Sequence, residues 1–189
     1  LLAGSIESQG RWADAEPYRK RLYDQHRVLY GDHHDETITA AGFLAVNYVR
    51  QGRSADALLM RQAILQARTA NLGDKDPKSI IALSNVAASL TDIGQLESAE
   101  ILYRKVLEYS LEVHGKGHME TASAYGNLAV VLRARGQYAE AEPMLDEALI
   151  IDQSLSRGPN SVVALRLYNK ATNLGDMGRQ SEALDHAAQ

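Results

Sequence analysis

Paired histidines are the residues of this chain whose type and spacing come closest to a metal site. His33 and His34 are adjacent and precede Asp35, and His114 and His118 lie about one helical turn apart. Metal sites in proteins commonly use three or four ligands, and neither group has a further ligand in register. We therefore expect no metal and no other cofactor.

A recurring polar column indicates another role for two of these histidines. Its members lie at intervals of 42 residues and are His34, Asp76, His118 and Asn160. Asp76 directly precedes Pro77, and this combination is typical of the start of a helix. We therefore expect the column to cap helices.

The acidic residues do not form a catalytic group either. Glu16, Glu100 and Glu142 recur at one place in the period, which indicates a solvated face. The chain has no cysteine, and it contains no nucleophile elbow, phosphate-binding loop or His-Glu-x-x-His motif. We expect a protein that is not an enzyme.

The composition argues against nucleic-acid and membrane partners. The net charge is −4, whereas nucleic-acid binders usually carry a basic patch. No run approaches the roughly 18 apolar residues of a membrane span, and we expect no signal peptide. We expect a cytoplasmic protein that binds neither nucleic acid nor membrane.

The dominant feature of the sequence is a period of 42 residues. Five glycines follow it, at Gly10, Gly52, Gly94, Gly136 and Gly178. Two alanine columns share it, one through Ala15 and Ala57 and the other through Ala45 and Ala87. Self-similarity at a fixed period is the signature of a solenoid, in which each repeat packs on its neighbours.

Each period contains two amphipathic helices. Within residues 118–157, apolar residues at helical spacing run from Tyr125 to Leu132, and a second run begins at Tyr138. Gly136 lies between the runs, where glycine commonly ends a helix. We predict an all-α fold of antiparallel pairs, helix A and helix B, in one array over residues 1–189. Its partial repeats are 1–31 and 160–189, and its full repeats are 34–73, 76–115 and 118–157.

This pattern resembles the tetratricopeptide repeat. The matching residues of the third full repeat are Tyr125, Leu128, Ala129, Leu132, Gly136, Tyr138, Ala141 and Ala148. The usual period of the family is about 34 residues. The additional residues here follow Ala148, so we expect helix B to be the longer helix. The motifs Asn127-Leu128-Ala129 and Gly115-Lys116-Gly117-His118 are similar to those of the kinesin light chain subclass.

The resemblance implies an α-solenoid, a right-handed superhelix whose A helices line a concave groove for an extended peptide. Side-chain amides can bond both polar groups of a peptide backbone. The leading candidates for peptide binding are therefore Asn85, Asn127 and Asn169, and the alternative is that these amides bond within the scaffold. Further candidates on the A helices are Arg50, Ser123, Arg133 and Tyr168. The basic residues of the family's carboxylate clamp are missing, so we expect no recognition of that kind.

The last repeat departs from the pattern. Arg166 replaces a small residue and Lys170 replaces an apolar one. We favour a looser repeat near an array end over two cations that face an acidic partner. In the regular repeats, we expect Ala129 to be buried between helices and Arg135 to be exposed.

Both ends of the chain fall inside predicted helices. Residues 1–9 align with the second half of a helix A, and residues 180–189 align with the first half of a helix B. We expect a piece of a longer array that self-associates end to end through exposed apolar surface.

Three functions fit these observations. The first is a protein-interaction scaffold that binds a peptide or partner segment in the groove of the A helices. The second is a regulatory or targeting segment of a larger signalling protein or enzyme. The third is a self-assembling scaffold.

Overall fold

The computed structural model describes residues 2–156, 161–179 and 182, and this part of the chain forms helices joined by short turns, with no strand. The helices are α1 Leu2–Glu7, α2 Trp12–Tyr30, α3 Asp35–Arg50, α4 Ser54–Leu72, α5 Pro77–Asp92, α6 Leu96–His114, α7 Met119–Ala134, α8 Tyr138–Leu155 and α9 Ser161–Asp176. The predicted all-α fold of helix pairs is therefore confirmed. The half helix predicted over residues 180–189 lies outside the described residues, except for Glu182.

The B helices are the longer members of the pairs, as the period predicts. Helices α3, α5, α7 and α9 each have 16 residues, whereas α2, α4 and α6 have 19 and α8 has 18. Helix α8 continues past Ala148 to Leu155. The residues by which this period exceeds the usual repeat length thus extend helix B. In the described residues, no helix is both long and apolar enough to cross a bilayer.

The recurring polar column caps the A helices. Nδ1 of His34 accepts a hydrogen bond from the backbone N–H of Glu36, and Nδ1 of His118 accepts one from Glu120, each at 3.2 Å. Asp76 accepts from the N–H of Lys78 at 2.8 Å. The cap satisfies one of the backbone donors that a helix start leaves without a partner. The prediction for Asn160 falls outside the described residues.

Glycine closes the turn between helix A and helix B. Gly136 has a φ of 75°, a conformation that a side chain disfavours. This turn allows the N–H of Gln137 to donate to the carbonyl of Leu132 at 2.9 Å, as in the usual glycine-terminated helix end. Gly52 repeats the same turn with a φ of 74°.

The chain divides into two compact units, Leu1–Gln95 and Leu96–Gln189. In the first unit α3 packs between α2 and α4, and α4 also contacts α5. In the second unit α7 packs between α6 and α8, and α9 packs on α8. Each unit therefore has its own helix pairs, and the single array over residues 1–189 stays a prediction.

Each unit has its own core, in which small residues allow close helix packing. In the first unit Leu44 and Tyr48 pack with Ala57, which is fully buried. In the second unit, Ala141 and Ala129 are likewise buried, at 0% and 1% exposure. The predicted burial of Ala129 is confirmed.

The prediction of a solvated glutamate column is wrong. Glu16 accepts hydrogen bonds from Gln51 at 3.0 Å and from Arg53 at 2.7 Å. Glu142 pairs with Arg179 at 2.7 Å. In both cases the donor comes from the turn after the next helix A, so the carboxylate joins one repeat to the next. A position that recurs on every helix B can face the following repeat as readily as solvent.

Glu100, on α6, is the most buried glutamate of this column. Glu100 is 8% exposed, and it accepts hydrogen bonds from Arg104 at 2.8 Å and from Arg135. Arg135 is therefore half-buried and ion-paired, and the expectation that it is exposed is wrong. Burial raises the pKa of the Glu100 carboxyl, but the two arginines outweigh it, so the pKa lies below its ordinary value.

Candidate peptide-binding surface

Each A helix carries an outward stripe of residues spaced by four, three and four positions, which places them on one side of the helix. We call this stripe the A face. In the first unit, α3 contributes exposed Thr39, Phe43, Val46 and Arg50. Helix α5 contributes exposed Ile81, Asn85 and Asp92 and half-buried Ala88.

The second unit has an A face with the same register. Helix α7 contributes half-buried Ser123 and Asn127 and exposed Val130 and Ala134. Helix α9 contributes exposed Leu165 and Asp176 and half-buried Asn169 and Thr172. In both units the stripe combines apolar side chains with amides and hydroxyls.

Five of the predicted binding residues lie on these faces, divided between the units. Arg50 and Asn85 lie on the A face of the first unit, and Ser123, Asn127 and Asn169 lie on that of the second. The structure thus supplies two sets of side chains, one in each unit.

The other two candidates lie beside the stripe of the second unit. Tyr168 occupies the adjoining position on α9 and is 67% exposed. Arg133 is on the neighbouring side of α7, where its Nη1 lies 3.9 Å from a carboxylate oxygen of Asp176. Tyr168 is therefore available to a partner, whereas Arg133 faces a carboxylate of its own unit.

A different set of asparagines holds the scaffold together. Asn47 and Asn173 are fully buried and occupy the same place in the period. The amide of Asn47 donates to the carbonyl of Trp12 at 2.9 Å, and that of Asn173 donates to the carbonyl of Tyr138 at 3.1 Å. Each bond ties a helix A to the first residue of the preceding helix B. This column is not apparent in the sequence, because Ser89 and Val131 interrupt it.

The side chain of Asn85 lies on the surface, while its backbone belongs to the scaffold. The Asn85 carbonyl accepts a hydrogen bond from Nη1 of Arg61 at 2.9 Å, and the residue as a whole is exposed. Asn127 and Asn169 are half-buried. The buried asparagines therefore serve packing, whereas the predicted ones stand on the A faces.

Phe43 is a surface residue that the predicted candidates did not include. It occupies the place of Asn85 in its own repeat and is 49% exposed. The guanidinium carbon of Arg19 lies 4.5 Å from the ring centroid, and Arg19 is itself fixed by Glu7 at 2.5 Å. The hydrogen bond from Arg19 holds the pKa of the Glu7 carboxyl below its ordinary value. The signal that could have identified Phe43 is its position in the period, which is the one that Asn85 occupies in the next repeat.

Both unusual cations of the last repeat have partners inside the second unit. Nε of Arg166 bonds Asp152 at 2.8 Å, and Nζ of Lys170 lies 2.7 Å from Asp146. Gly126 makes the buried position of Arg166 feasible, because a Cβ there would lie 2.6 Å from the guanidinium carbon. These pairs overturn the explanation by an acidic partner, and the looser repeat near an array end stays a prediction. The cost of burying each charge is offset by a carboxylate.

The A faces carry few charges. Arg50 is the cation of the α3 stripe, and its guanidinium carbon lies 5.7 Å from the ring centroid of Trp12. Asp92 and Asp176 end the stripes of α5 and α9. Apolar side chains and amides between these charges can contact the side chains and the backbone of an extended segment.

Several solved structures share this fold. BtubC (BKLC) from P. vanneervenii is 23% identical, with a TM-score of 0.84 over 99% of this chain and 74% of that one. A putative kinesin light chain from Podosopora anserina, with nearly identical TPR-like repeats, is 18% identical, with a TM-score of 0.83 over 99% and 89%. The apo form of RapI is 15% identical, with a TM-score of 0.82 over 98% and 65%.

Similarity in sequence extends along most of the chain. No curated protein matches it significantly. The sequence profile of the family described as tetratricopeptide repeat matches residues 1–70, 78–154 and 120–189. Together with the repeated helix pairs, this match shows that the chain belongs to the tetratricopeptide repeat family, whose fold supports a general role as a protein-interaction scaffold.

Proposed function

We propose that the A faces bind an extended peptide or partner segment in the concave groove expected for this family. The observation that carries the proposal is that the asparagines differ in burial and in hydrogen bonding. Asn47 and Asn173 are buried and bond backbone carbonyls, whereas Asn85 is exposed on the A face. The amides of Asn47 and Asn173 thus serve the scaffold, and the exposed amide of Asn85 supports a role for the A face in binding.

The chemistry of the two faces favours a segment with apolar side chains and an accessible backbone. In the first unit Phe43, Val46 and Ile81 are each about half exposed and can contact apolar side chains of the segment. In the second unit Leu165 and Tyr168 are 54% and 67% exposed. The amides beside them can donate to and accept from the peptide backbone, which gives affinity without strict sequence selection.

A related structure supports the general mode of action. One similar solved structure is a Rap protein complexed with competence and sporulation factor, 17% identical, with a TM-score of 0.72 over 98% of this chain and 50% of that one. At this identity the similarity concerns the fold. The role proposed here would be the same if the chain were a regulatory or targeting segment of a larger signalling protein or enzyme.

Selection from a displayed library of random peptides tests the proposal. Peptides retained by the unaltered chain should be rich in apolar residues. They should be lost by the triple variant Asn85→Ala, Asn127→Ala and Asn169→Ala, because the amides no longer bond the peptide backbone. Retention by the triple variant as strong as by the parent would remove these amides from the binding surface.

Two comparisons sharpen this test. A control variant combines Gln62→Ala and Gln153→Ala, at exposed glutamines of the B helices. It removes amides from positions away from the A faces. Variants limited to Asn85, or to Asn127 and Asn169, show which unit binds a given peptide. A control variant that loses the peptides as completely as the triple variant would contradict the assignment to the A faces.

End-to-end self-association also remains a proposal. Val28 and Leu29 near the end of α2 are 86% and 69% exposed, and exposed apolar surface of this kind can be covered by a second copy of the chain. The weight-average mass in sedimentation should rise with concentration and should fall to that of one chain in a Val28→Glu, Leu29→Glu variant. A parent protein that stays monomeric at high concentration would exclude this role.

A further inference from the structure

Two of the residues that cap the A helices are histidines, and the third is an aspartate at the same place in the period. Nδ1 of His34 accepts a hydrogen bond from the backbone N–H of Glu36 at 3.2 Å. Nδ1 of His118 accepts one from the N–H of Glu120 at the same distance. Asp76 caps α5 through a carboxylate oxygen. An imidazole nitrogen accepts a hydrogen bond only while it carries no proton, so each histidine cap requires a neutral ring with its proton on Nε2.

Protonation of a histidine cap would reverse this interaction. The ring nitrogen would become a donor directed at another donor, and the N–H at the start of the helix would lose its partner. The charged ring would also lie at the positive end of the helix dipole, which disfavours a cation. An aspartate cap keeps its acceptor and its negative charge at any pH above about 5. The starts of α3 and α7 are therefore sensitive to protonation in a range in which the start of α5 is not.

An aromatic ring from the end of the preceding helix B lies over each histidine cap. Tyr30 stacks on His34, with the ring centroids 4.7 Å apart. His114 stacks on His118 at the same distance. In the repeat with the aspartate cap the corresponding residue is Leu72, so the stacked ring accompanies the histidine. In the second pair both rings can gain a proton, and two charged rings at this distance would repel each other.

The charged groups on both sides of His34 are paired with one another. Asp32, in the linker before the cap, bonds Arg27 of α2 at 2.8 Å. Asp35, the residue after the cap, bonds Arg68 of α4 at 2.6 Å. In the part of the chain that the structure describes, no carboxylate bonds the ring of His34, so no ion pair holds a proton on it.

The surroundings of His118 are similar. Lys116, in the linker before the cap, bonds Glu147 of α8 at 2.8 Å. Among the described residues, no carboxylate bonds the ring of His118 either. The other titratable groups close to the two caps along the chain or in contact with their helix starts are His26, His33, Glu36, His114 and Glu120.

We propose that His34 and His118 make the starts of α3 and α7 loosen at mildly acidic pH, while the start of α5 stays closed. The capped state requires neutral rings and the loosened state accepts protons freely, so a fall in pH shifts the equilibrium toward the loosened state. Imidazole in water gains its proton near pH 6.5, and carboxylates do so below about pH 5. The response is therefore expected between about pH 7.5 and about pH 5.5, and it does not depend on the peptide-binding role.

Hydrogen exchange of the full chain at about pH 7.5 and about pH 5.5 tests this response. Protection factors, which are corrected for the intrinsic exchange rate, should fall about threefold to fivefold in the first two turns of α3 and α7, the size expected for loss of a cap. Those of α5 should stay unchanged. Unchanged protection at the starts of α3 and α7, or an equal fall in α5, would overturn the proposal.

Exchange of the caps between repeats isolates the role of the imidazole. His118→Asp introduces the cap of α5 and should remove the pH response from α7 alone, whereas Asp76→His should create a response in α5. His33→Gln, at an exposed histidine that caps no helix, is the control and should respond as the parent does. Persistence of the α7 response in His118→Asp, or its loss from α3 in His33→Gln, would contradict the assignment to the caps.

Nitrogen-15 spectra of the imidazole rings follow the protons without relying on stability. At about pH 7.5 the rings of His34 and His118 should carry their proton on Nε2, and at about pH 5.5 Nδ1 should gain one as protection falls. A proton on Nδ1 at the higher pH would show that this nitrogen does not accept the capping bond. Rings that stay neutral at the lower pH while protection falls would likewise overturn the proposal.

Discussion

At the scale of single residues, the packing of the helices determines which charged side chains pair with one another. Glu100 is buried and pairs with the exposed Arg104 on its own helix and with the half-buried Arg135, and Arg166 is buried with Asp152. The Glu100–Arg135 and Arg166–Asp152 pairs each join neighbouring helix pairs. Such pairs are costly to break, because removal of one member leaves the other charge buried without a partner.

Glu100→Gln is expected to destabilise the second unit by about 1–3 kcal/mol at neutral pH, since it weakens two charge-assisted hydrogen bonds. The pKa of Glu100 in the folded chain lies below its ordinary value of 4.5. Its contribution is thus complete above pH 4.5 and is lost as the pH falls through the folded-state pKa. Urea unfolding across this range should show a smaller pH dependence in the variant.

Glu97→Gln is the matched control for this measurement. Glu97 also bonds Arg135, at 3.3 Å, but its side chain is 75% exposed. A surface pair contributes little to stability, so this variant should unfold almost as the parent does. Equal losses of stability in the two variants would show that burial of Glu100 is unimportant.

Ala129→Leu is expected to lower the free energy of unfolding by about 1–3 kcal/mol, because the close contact of α7 leaves no space for a larger side chain. Ala129 is 1% exposed. Ala134→Leu, an exposed change at the end of the same helix, provides the control for helix propensity. Thermal unfolding of both variants gives the comparison, and equal melting temperatures would contradict the packing assignment.

At the scale of elements, start and stop signals decide where each helix lies. The A helices begin at a capping side chain, and the turn to helix B is closed by a glycine with positive φ. Both devices act within a few residues of the chain. They are therefore the features that the sequence predicts best.

Asp76→Ala should destabilise the first unit by about 1 kcal/mol, because the N–H of Lys78 loses its partner. Asp76→Ser should restore most of the loss, since a hydroxyl can accept the same hydrogen bond. Urea unfolding followed by circular dichroism measures both. A serine variant as unstable as the alanine variant would show that Asp76 acts other than as a cap.

At the scale of the whole molecule, the chain consists of two compact units, each with its own core. In repeat proteins, stability is approximately a sum over repeats and their nearest neighbours. Local changes are therefore expected to act mainly within the unit that contains them.

Hydrogen exchange should show this local response directly. Ala129→Leu is expected to reduce amide protection in Leu96–Gln189 more than in Leu1–Gln95, because its contacts lie in the second unit. Ala57→Leu, at a fully buried position of the first unit, should give the reverse pattern. Equal loss of protection in both units for both variants would indicate that the chain unfolds as one cooperative body.

Much of the fold could be predicted because its signals are local. The helices, their caps at His34, Asp76 and His118, and the longer helix B all follow from spacing within one period. The positions of Asn85 and Asn127 on the A faces follow in the same way. The binding role of these residues stays a prediction, since no contact within one period reveals what a surface binds.

The helix pairs, their turns and the family of this chain follow from the sequence alone, because capping and helical periodicity depend on residues close along the chain. The packing of the helices reveals the partners of Glu16, Glu100 and Arg166 and the buried role of Asn47 and Asn173. Those features depend on side chains that different helices bring together, often 35 or more residues apart. A repeated position therefore predicts where a residue lies on its own helix, and packing decides what it meets.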